Sequence, residues 1–271
     1  MAAATVFCAR AGALTFAVTC RQRLAWNDSE EEPRRIFKPA VPYPGWDANW
    51  DGLRSVARQQ RDAHARVPTR HIILIRHGQY DESRKEDELR KLTTLGQAQA
   101  IRTGERLRDI LAESEAPVRL RSSTMTRARE TSDIIANFLP PRTEFLDPDS
   151  RLAEGRPAQA IPGRPFEDKV IDADGPRIEA AFRSLFHRST EPTASDHAFD
   201  IVVCHGNVIR FFVMRALQLP PEAWLRLCTF NCSITYLIIR PSGSVSLRTM
   251  GDISHLPKHL VSFSAHLGVE W

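Results

Sequence analysis

The sequence predicts an α/β fold, a three-layer, doubly wound and mostly parallel sheet, on three observations. Two short unbroken apolar runs end alike, His71-Ile72-Ile73-Leu74-Ile75-Arg76-His77-Gly78 and Phe199-Asp200-Ile201-Val202-Val203-Cys204-His205-Gly206. Runs of this kind read as strands buried on both faces of a parallel sheet. From Arg70 onward strand and helix signals alternate, the pattern of helices covering both sides of such a sheet. Finally, a chain of 271 residues, 42% hydrophobic and 26% charged, has room for one core-bearing domain of roughly 200 residues with further segments beside it.

The elements follow in chain order. The first 26 residues carry Arg10, Arg21 and Arg23, no Asp or Glu, and an apolar stretch from Ala11 to Cys20. That stretch is half of the roughly twenty residues that cross a bilayer. Segment 1–26 therefore reads as a targeting or membrane-anchor segment, and the arginines favour a mitochondrial address over secretion. Residues 27–69 read as a linker, because Asp28, Glu30, Glu31 and Glu32 lead into Pro33, Pro39, Pro42 and Pro44, which discourage regular structure. Inside it, Trp46-Asp47-Ala48-Asn49-Trp50-Asp51 sets out two tryptophans that are costly to leave wet. The element is expected to dock, either as a homo-oligomerisation element made of Trp46, Asp47, Asn49, Trp50 and Asp51 or on the chain's own catalytic domain.

The catalytic domain is placed at 70–256, with a tail at 257–271. After the first His-Gly strand, Thr93 or Thr94 can cap a helix whose inward face is Ala98, Ile101, Gly104, Leu107 and Leu111. A short strand follows near Val118 to Arg121, then a helix from about Met125 to Phe138 that halts before Pro140-Pro141. Ile178, Ala181, Phe182, Leu185 and Phe186 form the stripe of a third helix. The second His-Gly strand leads into a helix from Asn207 through Leu217. Ile234 to Ile239 and Val245 to Met250 close the domain as a hairpin about Pro241-Ser242-Gly243-Ser244.

Composition excludes several classes. The net charge of +4 is scattered rather than blocked, so no nucleic-acid partner is implied. Cys8, Cys20, Cys204, Cys228 and Cys232 are odd in number and lack C-x-x-C spacing, which argues against a disulfide framework or structural zinc. Cys204 reads as a core thiol.

Ligand sites in open α/β sheets lie at the carboxyl ends of strands, so neighbouring His-Gly strands would open both imidazoles into one crevice. Arg76 precedes His77, and the segment from Ser122 to Thr131 brings Arg127 beside hydroxyls and a helix start. Guanidinium forks and helix N-termini suit a tetrahedral dianion. A neutral imidazole whose second nitrogen is held as N–H can then attack phosphorus and form a phosphohistidine.

Leu74-Ile75-Arg76-His77-Gly78, Ser-x-x-x-Arg-Ala-x-x-Thr at Ser123 to Thr131, Glu154-Gly155 and Val203-Cys204-His205-Gly206, in that order, resemble the histidine phosphatase superfamily, phosphoglycerate mutase-like branch. The resemblance spans about Arg70 to Asp252. With Trp-Asp-x-Asn-Trp-Asp, Arg-His-x-Gln-Tyr, Arg177 to Arg183 and Trp224-Leu225-Arg226-Leu227, it extends to the mitochondrial serine/threonine protein phosphatases of that family. It implies a phosphoglycerate mutase-like fold and a hydrolase with His77 as nucleophile. Arg76, Arg127 and His205 would bind the phosphoryl oxygens, and Glu154 would be the general acid. No metal or organic cofactor is implied.

Phosphoglycerate mutases usually continue Arg-His-Gly with Glu-Ser and then Trp-Asn, which recognise the small sugar acid. This chain has Gln79-Tyr80-Asp81-Glu82-Ser83-Arg84-Lys85-Glu86-Asp87, a charged loop that fits a phosphorylated protein better. The alternatives are a small-metabolite phosphatase or phosphoglycerate mutase, and a multimeric scaffold whose residual activity is secondary.

Overall fold

The computed structural model describes residues 45–263 apart from Ala65 and Arg164. The expected targeting segment 1–26 and the first part of the linker lie outside the described residues. Among those described, no helix is long and apolar enough to cross a membrane.

The elements are α1 (Arg54–Asp62), β1 (Thr69–Arg76), α2 (Thr94–Leu111), β2 (Val118–Ser122), α3 (Thr126–Ala136), β3 (Thr143–Phe145), α4 (Asp168–Leu185), β4 (His197–Cys204), α5 (Gly206–Ala216), β5 (Ile234–Ile239) and β6 (Val245–Asp252), with short 3-10 turns between. The six strands run in the order β3-β2-β4-β1-β5-β6. β3, β2, β4 and β1 are parallel neighbours, while β5 is antiparallel to both β1 and β6.

Strand side chains alternate between faces, and β1 uses the alternation to build both layers. Ile72 and Leu74 pack with Ile178 and Phe182 of α4, Phe186 just beyond it, and Val208 and Phe212 of α5. Ile73 and Ile75 pack with Leu107, Leu111, Ala128 and Ile135 from α2 and α3. Each such fully buried side chain contributes roughly 1.5–3 kcal/mol, and both faces of one strand collect it.

Two helices differ from the sequence expectation. On α2 the buried face is Gly96, Gln99, Ala100, Thr103, Gly104, Leu107 and Leu111, while Ile101 is exposed. The rotation has a hydrogen-bonding cause: Gln79 N–H donates to Gln99 Oε1, and Thr103 Oγ1 donates to Cys232 O, so two polar side chains are drawn inward to satisfy loop backbone. Thr93 caps this helix, accepting from Gly96 N–H at 3.1 Å. α4 begins at Asp168, ten residues before the visible stripe, and passes through Pro176; Gly175 ahead of that proline offers no Cβ for the ring to meet.

The segment expected to be a linker also holds structure. The compact unit starts at Gly45, and α1 lies within the proline-following stretch. Trp50 packs on the core beside Phe182, ring centroids 6.5 Å apart, and its Nε1–H donates to Gly243 O at 2.8 Å. Asp51 receives Arg188 in a bidentate ion pair whose side chains are 1% and 2% exposed, across a separation of 137 residues. Arg188 Nη2 also donates to Ala48 O, and Gln218 Oε1 accepts from Asp47 N–H. Of the two docking expectations, the structure seats Trp50 and Asp51 on the chain's own domain, whereas Trp46 stays 45% exposed. The reason is electrostatic as much as apolar: Arg188, buried at the end of α4, requires a carboxylate.

Burial by itself would raise the Asp51 pKa, and the bonds from Arg188 and Leu53 outweigh it, so the group ends below its ordinary 3.8. A depressed carboxylate contributes stability that is complete above 3.8 and is lost as pH falls below it. Asp51→Ala is expected to cost about 3–5 kcal/mol in denaturant unfolding, because it strands a buried guanidinium. Asp51→Ala with Arg188→Leu should recover most of that loss; a double variant as unstable as the single one refutes the pairing argument.

Candidate active site

β1 and β4 pair in the register Arg76↔Cys204, so the residues that follow, His77 and His205, leave the sheet side by side. Their rings lie 5.0 Å apart, centroid to centroid, inclined at 57°. The expectation of paired imidazoles over one crevice holds in the structure. The tight passage after His77 needs a glycine: a Cβ on Gly78 would stand 2.6 Å from Gly96 O at the start of α2.

His77 Nδ1–H donates to Gly78 O at 2.8 Å, which leaves Nε2 as the lone-pair nitrogen, and that atom accepts Arg127 Nε–H at 3.2 Å. Burial pushes the ring well below the ordinary 6.5, and Arg127 and Arg76 push the same way. His205 is fully buried and low for the same first reason, with His77 and the two arginines adding to it. Its Nε2 meets Ser123 Oγ at 2.9 Å, and its Nδ1 has no partner in the protein.

Arg76 Nη1 donates to Thr229 O at 2.7 Å, its Nε is unpartnered, and burial lowers its pKa to about 10. Arg127, in the first turn of α3, is steered by Asp87, whose Oδ1 takes Nη1 at 3.3 Å while Oδ2 accepts from Thr126 N–H at 2.8 Å. Arg76 Nε, His205 Nδ1 and Arg210 Nε are buried polar atoms without partners that share this one electrostatic neighbourhood. Each such atom costs roughly 1–3 kcal/mol until an acceptor arrives, and several donors together call for an anion with several oxygens.

Glu154 follows a 3-10 turn and is half-buried. Burial raises its pKa above the ordinary 4.5, against the opposing pull of Arg76, Gly155 N–H, Arg127 and Arg210. Burial thus outweighs the arginines and the Gly155 N–H, and the shift favours the protonated form relative to a free carboxyl. Arg177 holds its loop by donating to Arg151 O, Ala153 O and Glu154 O, and Asn207 Nδ2 donates to Gly155 O. Cys204 is fully buried, and burial drives its thiol far above its ordinary value, so it packs as expected. Among the described residues no group of three or more His, Cys, Asp or Glu is arranged to hold a metal ion.

The structure thus brings His77, His205, Arg76, Arg127 and Glu154 into one electrostatic neighbourhood. It adds residues that the sequence reading had not assigned to the site. Tyr80 stands edge-on to the His77 ring at 5.2 Å, lies 4.7 Å from the Arg127 guanidinium and 4.8 Å from that of Arg90, and accepts Arg90 Nη2–H at 2.8 Å. Its face stabilises two cations beside the nucleophile. Asn231 Nδ2 donates to His77 O at 3.1 Å. Ser123 had a visible signal in the Ser-x-x-x-Arg pattern and Tyr80 in Arg-His-x-Gln-Tyr; Asn231 had none.

Comparison with known proteins agrees with this geometry. The family model described as "Histidine phosphatase superfamily (branch 1)" matches residues 72–168 and 171–252. The mitochondrial serine/threonine-protein phosphatase PGAM5 of Xenopus laevis is 40% identical over 273 residues, 93% of this chain and 94% of that protein. The protein of the same name from Homo sapiens is 39% identical over 278 residues, 94% of each chain. A crystal structure of phosphoglycerate mutase from Plasmodium falciparum is 36% identical, with TM-score 0.50, over 73% of this chain and 99% of the other.

At about pH 6 a free imidazole is mostly protonated, whereas the His77 ring is expected to be neutral with its proton on Nδ1. Nitrogen NMR on selectively labelled protein reads both properties. Arg127→Met should move the His77 pKa upward, since a repelling charge is removed; a wild-type ring titrating near 6.5 contradicts the electrostatic account.

Proposed function

The chain belongs to the histidine phosphatase superfamily, and on that premise we propose that it is a protein phosphatase hydrolysing phosphoserine and phosphothreonine in protein substrates through a phosphohistidine on His77. The observation that carries the reading is the His77 tautomer, with Nδ1–H held by Gly78 O and Nε2 left as the lone-pair nitrogen beside the buried Arg127 guanidinium. His77 Nε2 attacks phosphorus in line, and the bond from phosphorus to the Ser or Thr oxygen breaks. Arg76, Arg127 and His205 Nδ1–H take the equatorial oxygens, and the departing oxygen takes the Glu154 proton. Water then attacks phosphorus, giving its proton to the Glu154 carboxylate while the P–N bond breaks, and inorganic phosphate leaves with the enzyme restored.

The serine/threonine protein phosphatases that match nearly the whole chain support a protein substrate and a mitochondrial location, and residues 1–26 would supply the address and a membrane association. The charged loop from Gln79 to Asp87, in place of the sugar-acid pattern, favours this over the mutase alternative.

A kinetic comparison tests the reading. Wild type should hydrolyse a phosphothreonine peptide with higher kcat/KM than 3-phosphoglycerate, and His77→Ala should reduce both to background; the reverse preference removes the protein-phosphatase assignment. Because Glu154 must be protonated, activity should persist on its acidic side and fall as pH rises through its raised pKa. Glu154→Gln should lose about 10²–10⁴-fold on phosphothreonine and far less on p-nitrophenyl phosphate, whose leaving group needs no proton.

We propose also that the tryptophan element joins copies of the chain into a homo-oligomer. Its support is Trp46, which remains exposed while its neighbours Trp50 and Asp51 are anchored. Trp46→Ala should elute later from a sizing column with unchanged thermal unfolding; an identical elution volume refutes the assembly role.

A further inference from the structure

Cys232, in the turn that leads into β5, stands in the left-handed backbone region at φ 55°. A residue with a Cβ rarely adopts that conformation, and it persists where surrounding bonds fix it. Here both sides of the residue's backbone are engaged. Its N–H donates to Arg76 O at 3.0 Å and lies 3.4 Å from His77 O. Its carbonyl accepts Thr103 Oγ1–H at 2.9 Å, and His255 Nε2 meets the same oxygen at 3.2 Å. Asn231 Nδ2 donates to His77 O and Arg76 N–H donates to Ser233 O, so three successive residues bracket the backbone of the nucleophile and of the arginine before it.

His255 is delivered by a turn of its own, beyond Asp252, where the family match ends. Asp252 Oδ1 accepts Ser254 N–H at 2.9 Å, Ile253 O accepts Leu256 N–H at 2.9 Å, and Leu256 is buried. A carbonyl only accepts, so His255 Nε2 must carry the ring proton, which is shared with Thr103 Oγ1 at 2.9 Å. Nδ1 is then a bare lone pair, and this is the ring atom that is buried without a partner. Burial lowers the pKa of the ring below the ordinary 6.5, against Asp252 and the Cys232 carbonyl, which raise it.

We infer that His255, with Thr103, is a positioning residue for the nucleophile: the two donors clamp the Cys232 carbonyl, hold that peptide in its left-handed turn and, through its N–H, fix the backbone of Arg76 and His77. The inference rests on the reading of His77 as the nucleophile. Thr103 comes from α2 and His255 from beyond β6, so the clamp joins two packed elements to the end of β1. Catalysis of phosphoryl transfer is mostly positioning and charge stabilisation, so a displaced nucleophile lowers the rate of the chemical step. Neither clamp residue touches the phosphoryl cradle; both act through one peptide.

The test uses the full chain with p-nitrophenyl phosphate and a phosphothreonine peptide. His255→Leu removes one donor, and kcat and kcat/KM should fall together by roughly tenfold to a hundredfold on both substrates. His255→Gln, whose amide N–H can stand in for Nε2–H, should restore most of the rate. Thr103→Val removes the other donor and should lower kcat in the same sense, which keeps the test open if His255→Leu does not fold. Hydrogen exchange read residue by residue is independent of turnover: in His255→Leu the Cys232 amide should exchange faster while those of Ile73 and Ile75 in β1 keep wild-type protection. An unchanged kcat in either variant, a loss that His255→Gln fails to restore, or equal quickening at Cys232 and in β1 overturns the clamp. If His255→Leu turns over like wild type while His77→Ala is inactive, the clamp alone is removed; a His77→Ala variant as active as wild type removes the nucleophile beneath it.

Discussion

Parallel pairing of β1 with β4, with Arg76 opposite Cys204, sets two imidazoles at equal height on one edge of the sheet, and the remaining site residues are arranged about that pair. Strands buried on both faces cannot shift register without moving Ile72 to Ile75 and Ile201 to Val203 out of two packed layers at once. The 5.0 Å separation of the rings is accordingly a property of the core rather than of the loops. Loops supply the rest: Arg127 at the head of α3, Glu154 after a 3-10 turn, and Tyr80 and Asn231 in the connections beyond β1 and before β5.

Concentrating guanidinium groups around buried imidazoles is unfavourable in the empty site. Arg76, Arg127 and Arg210 all have lowered pKa values from burial, and both histidines are pushed towards the neutral form. The same field suits the proposed chemistry, since it keeps Nε2 of His77 unprotonated and stabilises charge arriving on phosphoryl oxygens. Tyr80 and Asp87 moderate the repulsion, one through its ring face and one through its carboxylate.

Both ends of the described chain return to the domain. At one end Asp51 neutralises Arg188 and Trp50 covers Phe182. At the other, Ser262 bonds Asn231, which holds His77 O, and Phe263 meets Phe230. Segments that composition marks as linker and tail are therefore walls of the fold.

Local pattern carried much of this outcome. Apolar runs ending in His-Gly, the Thr93 cap, the stripe of α4 and the hydrophobic setting of Cys204 are properties of a few neighbouring residues, and they emerged where the sequence placed them. The Glu154 position was legible only through the family resemblance, because a carboxylate in a loop has no local signature. Misreading the inward face of α2 shows the limit of periodicity: Gln99 and Thr103 are polar, and they turn inward because distant backbone needs partners. The sequence by itself determined five of the six strands and the two histidines, since side-chain alternation and apolar runs act over short range; the three-residue β3 had no such run. Tertiary structure alone decided the Asp51–Arg188 pair, the contacts of Tyr80 with Arg90 and Arg127, and the sign of the Glu154 shift. Each depends on desolvation and contact between groups that only folding brings together, and neither quantity exists until the core has closed.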